Sequence, residues 1–145
     1  MNVTDPCTVT NADWQRDADA IQSVRHAVFI IEQGIPATLE WDGLDPGCGH
    51  ALVWDATGRA IATGRLLPDG RIGRMAVLPE WRGRGIGRLL LSQLIGMAAA
   101  QGHSRVYLHA QVDVAGFYQA AGFRESGQPF TEAGIKHVAM IRSSI

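Results

Sequence analysis

The chain has 145 residues, 46% of them hydrophobic and 19% charged, with a formal net charge of −1. This is the balance of a soluble globular protein with room for one domain, residues 1–145, that buries roughly 70% of its unfolded surface without a metal or disulfide. The near-zero charge excludes bulk attraction to nucleic acid or to an anionic membrane. The longest apolar stretch, Leu89 to Ala100, is broken by Ser92 and Gln93 and is too short to span a bilayer. Cys7 and Cys48 have no CxxC spacing, and Met1 to Pro6 carries an acid and no apolar run. Together these predict reduced thiols, no secretory segment and a cytoplasmic setting.

Cys7 to Thr10 reads as a short first strand. Asn11 or Asp13 then offers an N-cap for a helix reaching Gln33, with Ile21, Val24, Ala27, Val28 and Ile31 at helical spacing. Gly34 and Pro36 stop it, and Ala37 to Gly49 reads as loop or a single helical turn. Ala51 to Trp54 and Ala60 to Leu67 form a hairpin about Asp55-Ala56-Thr57-Gly58. After the turn Pro68-Asp69-Gly70, Ile72 to Leu78 follows as a third antiparallel strand. A helix from Ile86 to Gln101, apolar around much of its girth, predicts packing against a sheet. Arg105 to Ala110 is a strand, Val114 to Ala121 a short helix, and Phe123 to Phe130 and His137 to Ile141 are closing strands. The expected architecture is α/β (α+β): one mixed, mainly antiparallel sheet with helices on its faces.

Charge is unevenly distributed. Arg71, Arg74, Arg82, Arg84 and Arg88 crowd one stretch, while Glu32, Glu40, Asp42, Asp45 and Asp55 occupy the first half. Guanidinium groups suit phosphate through paired planar donors. Among them lies Arg82-Gly83-Arg84-Gly85-Ile86-Gly87-Arg88, between a strand and a helix. The first amides of a helix lack internal partners and its dipole is positive there, so glycines that admit close approach make an anion cradle. A P-loop would need GxxxxGK and a dinucleotide fingerprint GxGxxG; the spacing here is GxGxG.

Arg82 to Gly87 resembles the coenzyme-pyrophosphate motif of the GNAT acetyltransferases, and Met75-Ala76-Val77 resembles their coenzyme-binding strand. Ala115-Gly116-Phe117-Tyr118-Gln119-Ala120-Ala121-Gly122-Phe123 is similar to their second motif, an alanine followed by FYxxxGF. Ala27 to Gln33, Asp42 and Ala133-Gly134-Ile135-Lys136-His137 further resemble the small bacterial ElaA-like branch. The resemblance implies acetyl-coenzyme A as cosubstrate, no metal, and an amine acceptor, small molecule or peptide. It implies that Met75, Ala76, Val77, Arg82, Gly83, Arg84, Gly85, Ile86, Gly87, Arg88 and Phe117 hold the coenzyme. Where many members place an Asn on the pantetheine, seven residues before the tyrosine, this chain has Gln111, the same amide at a different reach.

Tyr118 is the candidate acid, since a phenol stays protonated at neutral pH and can protonate a departing thiolate. The base is open among Glu32, Asp42, His109 and His137, and Glu32, Asp42 and His137 are candidate acceptor contacts. The acids of the first half are expected to attract a cationic amine. A non-catalytic acetyl-coenzyme A sensor of the same fold is the alternative. Nucleic-acid binding through the arginines lacks interleaved aromatics and net basic charge.

Overall fold

The structure, a computed structural model, describes residues 6–145. Met1 to Asp5, which belong to the stretch read above as free of a secretory segment, lie outside the described residues. Strands β1 (Cys7–Ala12), β2 (Gly49–Asp55), β3 (Ala60–Leu66) and β4 (Ile72–Val77) form an antiparallel sheet in that order. Strands β5 (Arg105–Gln111), β6 (Arg124–Glu132) and β7 (Ile135–Ser143) form a second, ordered β5-β7-β6. Helix α1 (Trp14–Arg25) precedes the short α2 (Ala37–Glu40); α3 (Ile86–Ala100) follows β4, and α4 (Ala115–Ala120) follows β5.

The expected single sheet is therefore two antiparallel sheets. They touch through one parallel bridge, Arg71 to Tyr107, where the Tyr107 amide donates to the Gly70 carbonyl at 3.2 Å. Beyond this point β4 and β5 diverge, and no ladder joins Met75–Val77 to β5 among the described residues.

Both faces of the first sheet are covered. Ala51, Leu52 and Val53 point alternately to opposite sides, yet all are fully buried. Helix α3 packs across β1 to β5 and buries Ile86, Leu90, Leu91, Leu94 and Ala98. Helix α1 packs on β3 and β4 through Ile21 and Val24. Asp13 is the N-cap, its carboxylate accepting from the Gln15 amide.

The first helix does not continue as α-helix to Gln33. From His26 to Glu32 it widens to a π-helix, and the Gln33 amide bonds the Val28 carbonyl five residues back. The β-branched Val28, Ile30 and Ile31 crowd an α-helical surface, and π-turns recur beside functional sites. The segment after it holds two short helical turns, α2 and Asp45–Gly47.

What fixes that segment is a buried ionic network. The Arg25 side chain, on the core face of α1, is paired at 2.7 Å with Glu40 and at 2.7 Å with Asp45. Arg65, inside β3, donates to both Asp42 oxygens at 2.9 Å and to Asp45 at 3.1 Å. Trp41 lies against the Arg25 guanidinium, 4.9 Å from its ring centre. Expected as free attractants for a cation, Glu40, Asp42 and Asp45 are instead neutralised from within. Glu32 is taken by Arg82, and Asp55 holds the β2–β3 turn through Thr57 and Arg59.

Gly64 in β3 lets α3 approach. A Cβ there would stand 2.6 Å from Leu94 Cδ1 and 3.3 Å from Met75 Cγ. Leu94 is fully buried and has no free space to retreat into, so Gly64→Ala should cost about 1–3 kcal/mol by overpacking. Urea denaturation measures this, and an unchanged midpoint would show that helix and sheet slide apart freely.

Candidate active site

The cleft begins at a bulge in β4. Thr63 pairs with Ala76 and Arg65 with Gly73, so Gly64 faces two residues, Arg74 and Met75. Arg74 adopts a left-handed φ of 51°, which a side chain other than glycine enters only at a cost. Its guanidinium supplies the restraint: Asp42 at 3.1 Å, Glu40 at 3.3 Å, and the carbonyls of Leu39 and Glu40 at 3.1 and 3.3 Å. The bulge turns β4 away from β5 and leaves the Met75–Val77 edge open. Extended chains that carry amides add to such an edge.

Between the diverging strands lies a cleft of about 1110 Å³. Gly83, Gly85, Ile86, Gly87 and Arg88 line one end; His109, Glu132, Ile135 and His137 line the other, with Tyr118 between. Gly83 and Gly85 have φ of 76° and 82°, and a Cβ on either would project into open space. Gly85 is the N-cap of α3, and the Leu89 amide is the first to bond back, to the Gly85 carbonyl at 3.1 Å. The amides of Ile86, Gly87 and Arg88 thus have no acceptor within the helix. Gly87 sits under the Phe117 ring, which a Cβ there would touch at 3.4 Å.

The three arginines expected at this end have different partners. Arg82 forms a bidentate ion pair with Glu32, donating to both carboxylate oxygens at 2.7 Å, and its Nε donates to the Val77 carbonyl at 2.9 Å. Arg84 stacks over Trp81, 4.8 Å from the ring centre. Arg88 is exposed on the first turn of α3 and lines the cleft. Of the coenzyme residues expected from sequence, all but Arg84 line the cleft.

Tyr118 is held by α4, its ring edge-on to Phe117 and Phe123. Its hydroxyl donates to the Met75 sulfur at 3.8 Å, a weak acceptor. Burial pushes the phenol up to about 12, because the charged form has lost its water.

The base candidates separate on geometry. Hydrogen bonding from Arg82 holds the Glu32 carboxyl below the usual carboxylate range. Asp42 lines the cleft, but despite partial burial, bonds from Arg65 and the Leu44 amide bring its carboxyl down to about 2. His109 Nδ1 stands 3.0 Å from Arg71 and 3.2 Å from Glu132. His137 Nδ1 donates to the Ile135 carbonyl at 2.7 Å, leaving Nε2 4.0 Å from Glu132. Glu132 is the cleft residue that sequence reasoning missed. Its signal was alternation: Phe130, Glu132 and, across the turn, Ile135 and His137 fall on one face.

The cleft thus sets an open strand edge beside a glycine loop at a helix N-terminus, with a buried phenol between them. Residues 43–144 match the acetyltransferase (GNAT) domain, and the chain belongs to the GNAT family. It is 35% identical over 123 residues to YjcF, an uncharacterized N-acetyltransferase of Bacillus subtilis, covering 82% of this chain and 87% of that one. Escherichia coli ElaA is 31% identical over 134 residues, 87% of each chain. The crystal structure of ElaA superposes with a TM-score of 0.84 at 28% identity, over 95% of this chain and 100% of the other. An acyl-CoA N-acyltransferase from Pseudomonas aeruginosa gives the same figures. The resemblance to the ElaA-like branch therefore holds. No helix among the described residues is long and apolar enough to cross a membrane.

The chain has two tyrosines, so Tyr107→Phe leaves Tyr118 as the sole phenol. Alkaline absorbance titration of that variant should show a tyrosinate midpoint near 12. A midpoint near the ordinary ~10 would mean that water reaches the hydroxyl.

Proposed function

We propose that the protein transfers an acetyl group from acetyl-coenzyme A to an amine acceptor by direct attack in a ternary complex, with Tyr118 as the acid. The observation that carries this is the Tyr118 hydroxyl: buried on the cleft wall, protonated far above neutral pH, and bonded only weakly to sulfur. Such a phenol is a proton source held ready for a stronger acceptor. The coenzyme supplies an acetyl thioester.

The residues present fit that coenzyme. The amides of Ile86, Gly87 and Arg88 have no acceptor within the helix, and a Cβ at Gly83 or Gly85 would meet no atom, which leaves room for a pyrophosphate. Arg88 adds a guanidinium at the same end. The open edge of Met75, Ala76 and Val77 matches the amides of a pantetheine arm, with Gln111 on the opposite strand. Phe117, over Gly87, closes the wall beside them. Arg82 steadies the loop through Glu32 and Val77, and Arg84, stacked on Trp81, lies beside the cleft rather than along it.

The acceptor is a small-molecule or peptide amine that enters by Leu39, Glu132, Ile135 and His137. Glu132 is the carboxylate there that arginines leave most open, 40% exposed. A cytoplasmic setting fits Cys7 and Cys48, which form no disulfide, and the whole chain is taken as one transferase domain.

Two variants test the assignment. Gly85→Val places a side chain in the anion's space and forces an unfavourable φ costing about 1–2 kcal/mol. Coenzyme A affinity by calorimetry should fall roughly tenfold or more, and unchanged affinity would remove the loop from the site. Tyr118→Phe deletes only the hydroxyl. With an acceptor found by thiol release across an amine panel, kcat should fall roughly 10²–10⁴-fold while coenzyme affinity and melting temperature hold. An unaltered kcat in the folded variant would assign proton donation to water.

A further inference from the structure

We propose that His137 is the general base of this site, taking the acceptor amine's proton on Nε2 and releasing it toward solvent through Glu132. This rests on the transfer reading above and adds the group that makes the amine nucleophilic.

The argument starts from a tautomer. A carbonyl only accepts, so the 2.7 Å contact with Ile135 requires the proton of His137 on Nδ1. The lone pair then sits on Nε2, the nitrogen nearer Glu132. The ring is also fixed in direction. It stacks on Phe130 at 6.1 Å and 23°, and Phe130 in turn meets His109 edge-on at 5.0 Å. Across the ladder His137 pairs with Gln111 of β5 and Phe130 of β6, so all three share the face that forms the cleft wall.

The other candidates are occupied. Glu32 and Asp42 are held ionised by arginines and bind protons too weakly to strip an ammonium. A guanidinium only donates, so His109 Nδ1 accepts from Arg71 at 3.0 Å and its lone pair is already used, with Glu132 3.2 Å from the same nitrogen. His137 differs in that its Nε2 has no hydrogen-bond partner among the described residues, with Glu132 4.0 Å away. The charged groups around it are Glu132 from β6, His109 from β5, Arg71 before β4, and Asp42 and Arg74 on the far wall. Lys136 belongs to the other face of β7.

The proton count closes. An alkylammonium gives one proton to Nε2, and the freed nitrogen lone pair forms the bond to the acetyl carbon. The C–S bond breaks with its electrons on sulfur, and Tyr118 passes its proton there. The second proton that nitrogen sheds on becoming an amide restores the phenol. His137 loses its proton by way of the half-exposed Glu132, so one proton is released per transfer.

His137→Asn keeps a donor for the Ile135 carbonyl and removes the Nε2 lone pair. The wild type and this variant are compared with an alkylamine from the panel, across pH, alongside coenzyme A calorimetry and thermal melts. At neutral pH kcat/KM should fall roughly 10²–10⁴-fold with coenzyme affinity unchanged. The deficit should shrink as pH approaches the amine's own pKa, where the acceptor reaches its free base unaided; a structural role would leave it constant. Nitrogen-15 histidine spectra of the wild type should show the His137 proton on Nδ1. A proton on Nε2, full activity in the variant, or a pH-independent deficit would each overturn the assignment. A wild type that binds coenzyme A yet acetylates no amine would instead overturn the transfer reading, and the base with it.

Discussion

Three arginines and three carboxylates, withdrawn wholly or mostly from water, hold the one backbone irregularity on which the cleft depends. Arg25 and Arg65 are almost completely buried, and they fix Glu40, Asp42 and Asp45 in place. Glu40 and Asp42 then hold Arg74, whose left-handed backbone makes the bulge in β4. Buried ion pairs add little net stability over apolar packing, because desolvation offsets their attraction. Their contribution here is positional. An apolar cluster would fill the same volume, but it would leave the guanidinium of Arg74 with no reason to be where it is. Without the bulge, β4 would continue beside β5 and the two sheets would close into one, with no open edge.

The same principle, environment setting charge, separates the two groups proposed to handle protons along the cleft. Tyr118 is protonated because its surroundings are apolar and only a sulfur faces it. His137 has a lone pair to offer because a backbone carbonyl claims its other nitrogen. Neither arrangement needs an unusual side chain. Each needs a fixed neighbour, Met75 at the bulge of β4 for one and Ile135 of β7 for the other. Tyr118, on α4, reaches Met75 of β4, while His137 lies on β7, and the divergence of the two sheets opens the space between them.

Much of this was legible in the sequence because it depended on local chemistry. The glycines at 83 and 85 announce positive φ ahead of an apolar helix, and the structure shows it. The strand and helix boundaries fall within a few residues of the hydrophobic pattern, since both faces of β2 and the inner face of α3 are filled by it. What stayed hidden depended on contacts distant in sequence. Arg25 and Glu40 are 15 residues apart, Arg65 and Asp42 are 23, and no periodicity couples them. A signal did exist: Arg65 interrupts an otherwise apolar strand, and Arg25 falls beside Val24 on the buried face of α1. A charge in such a place needs a partner, but the sequence does not say which.

That pairing also decides what kind of acceptor recognition remains. The acids of the first half looked like a lure for cations, yet four of the five are matched by arginines, at 2.7–3.3 Å. A carboxylate already bonded to a guanidinium offers little to an incoming ammonium, which must compete with a fixed, desolvated partner. Glu132 differs: its nearest basic neighbours are His109 at 3.2 Å and Arg71 at 3.6 Å, and it is the most exposed carboxylate at that end of the cleft. Around it the wall is Leu39, Leu67 and Ile135. The acceptor proposed for this end is therefore one with an amine directed at Glu132 and His137 and an apolar body that the surrounding side chains can dehydrate.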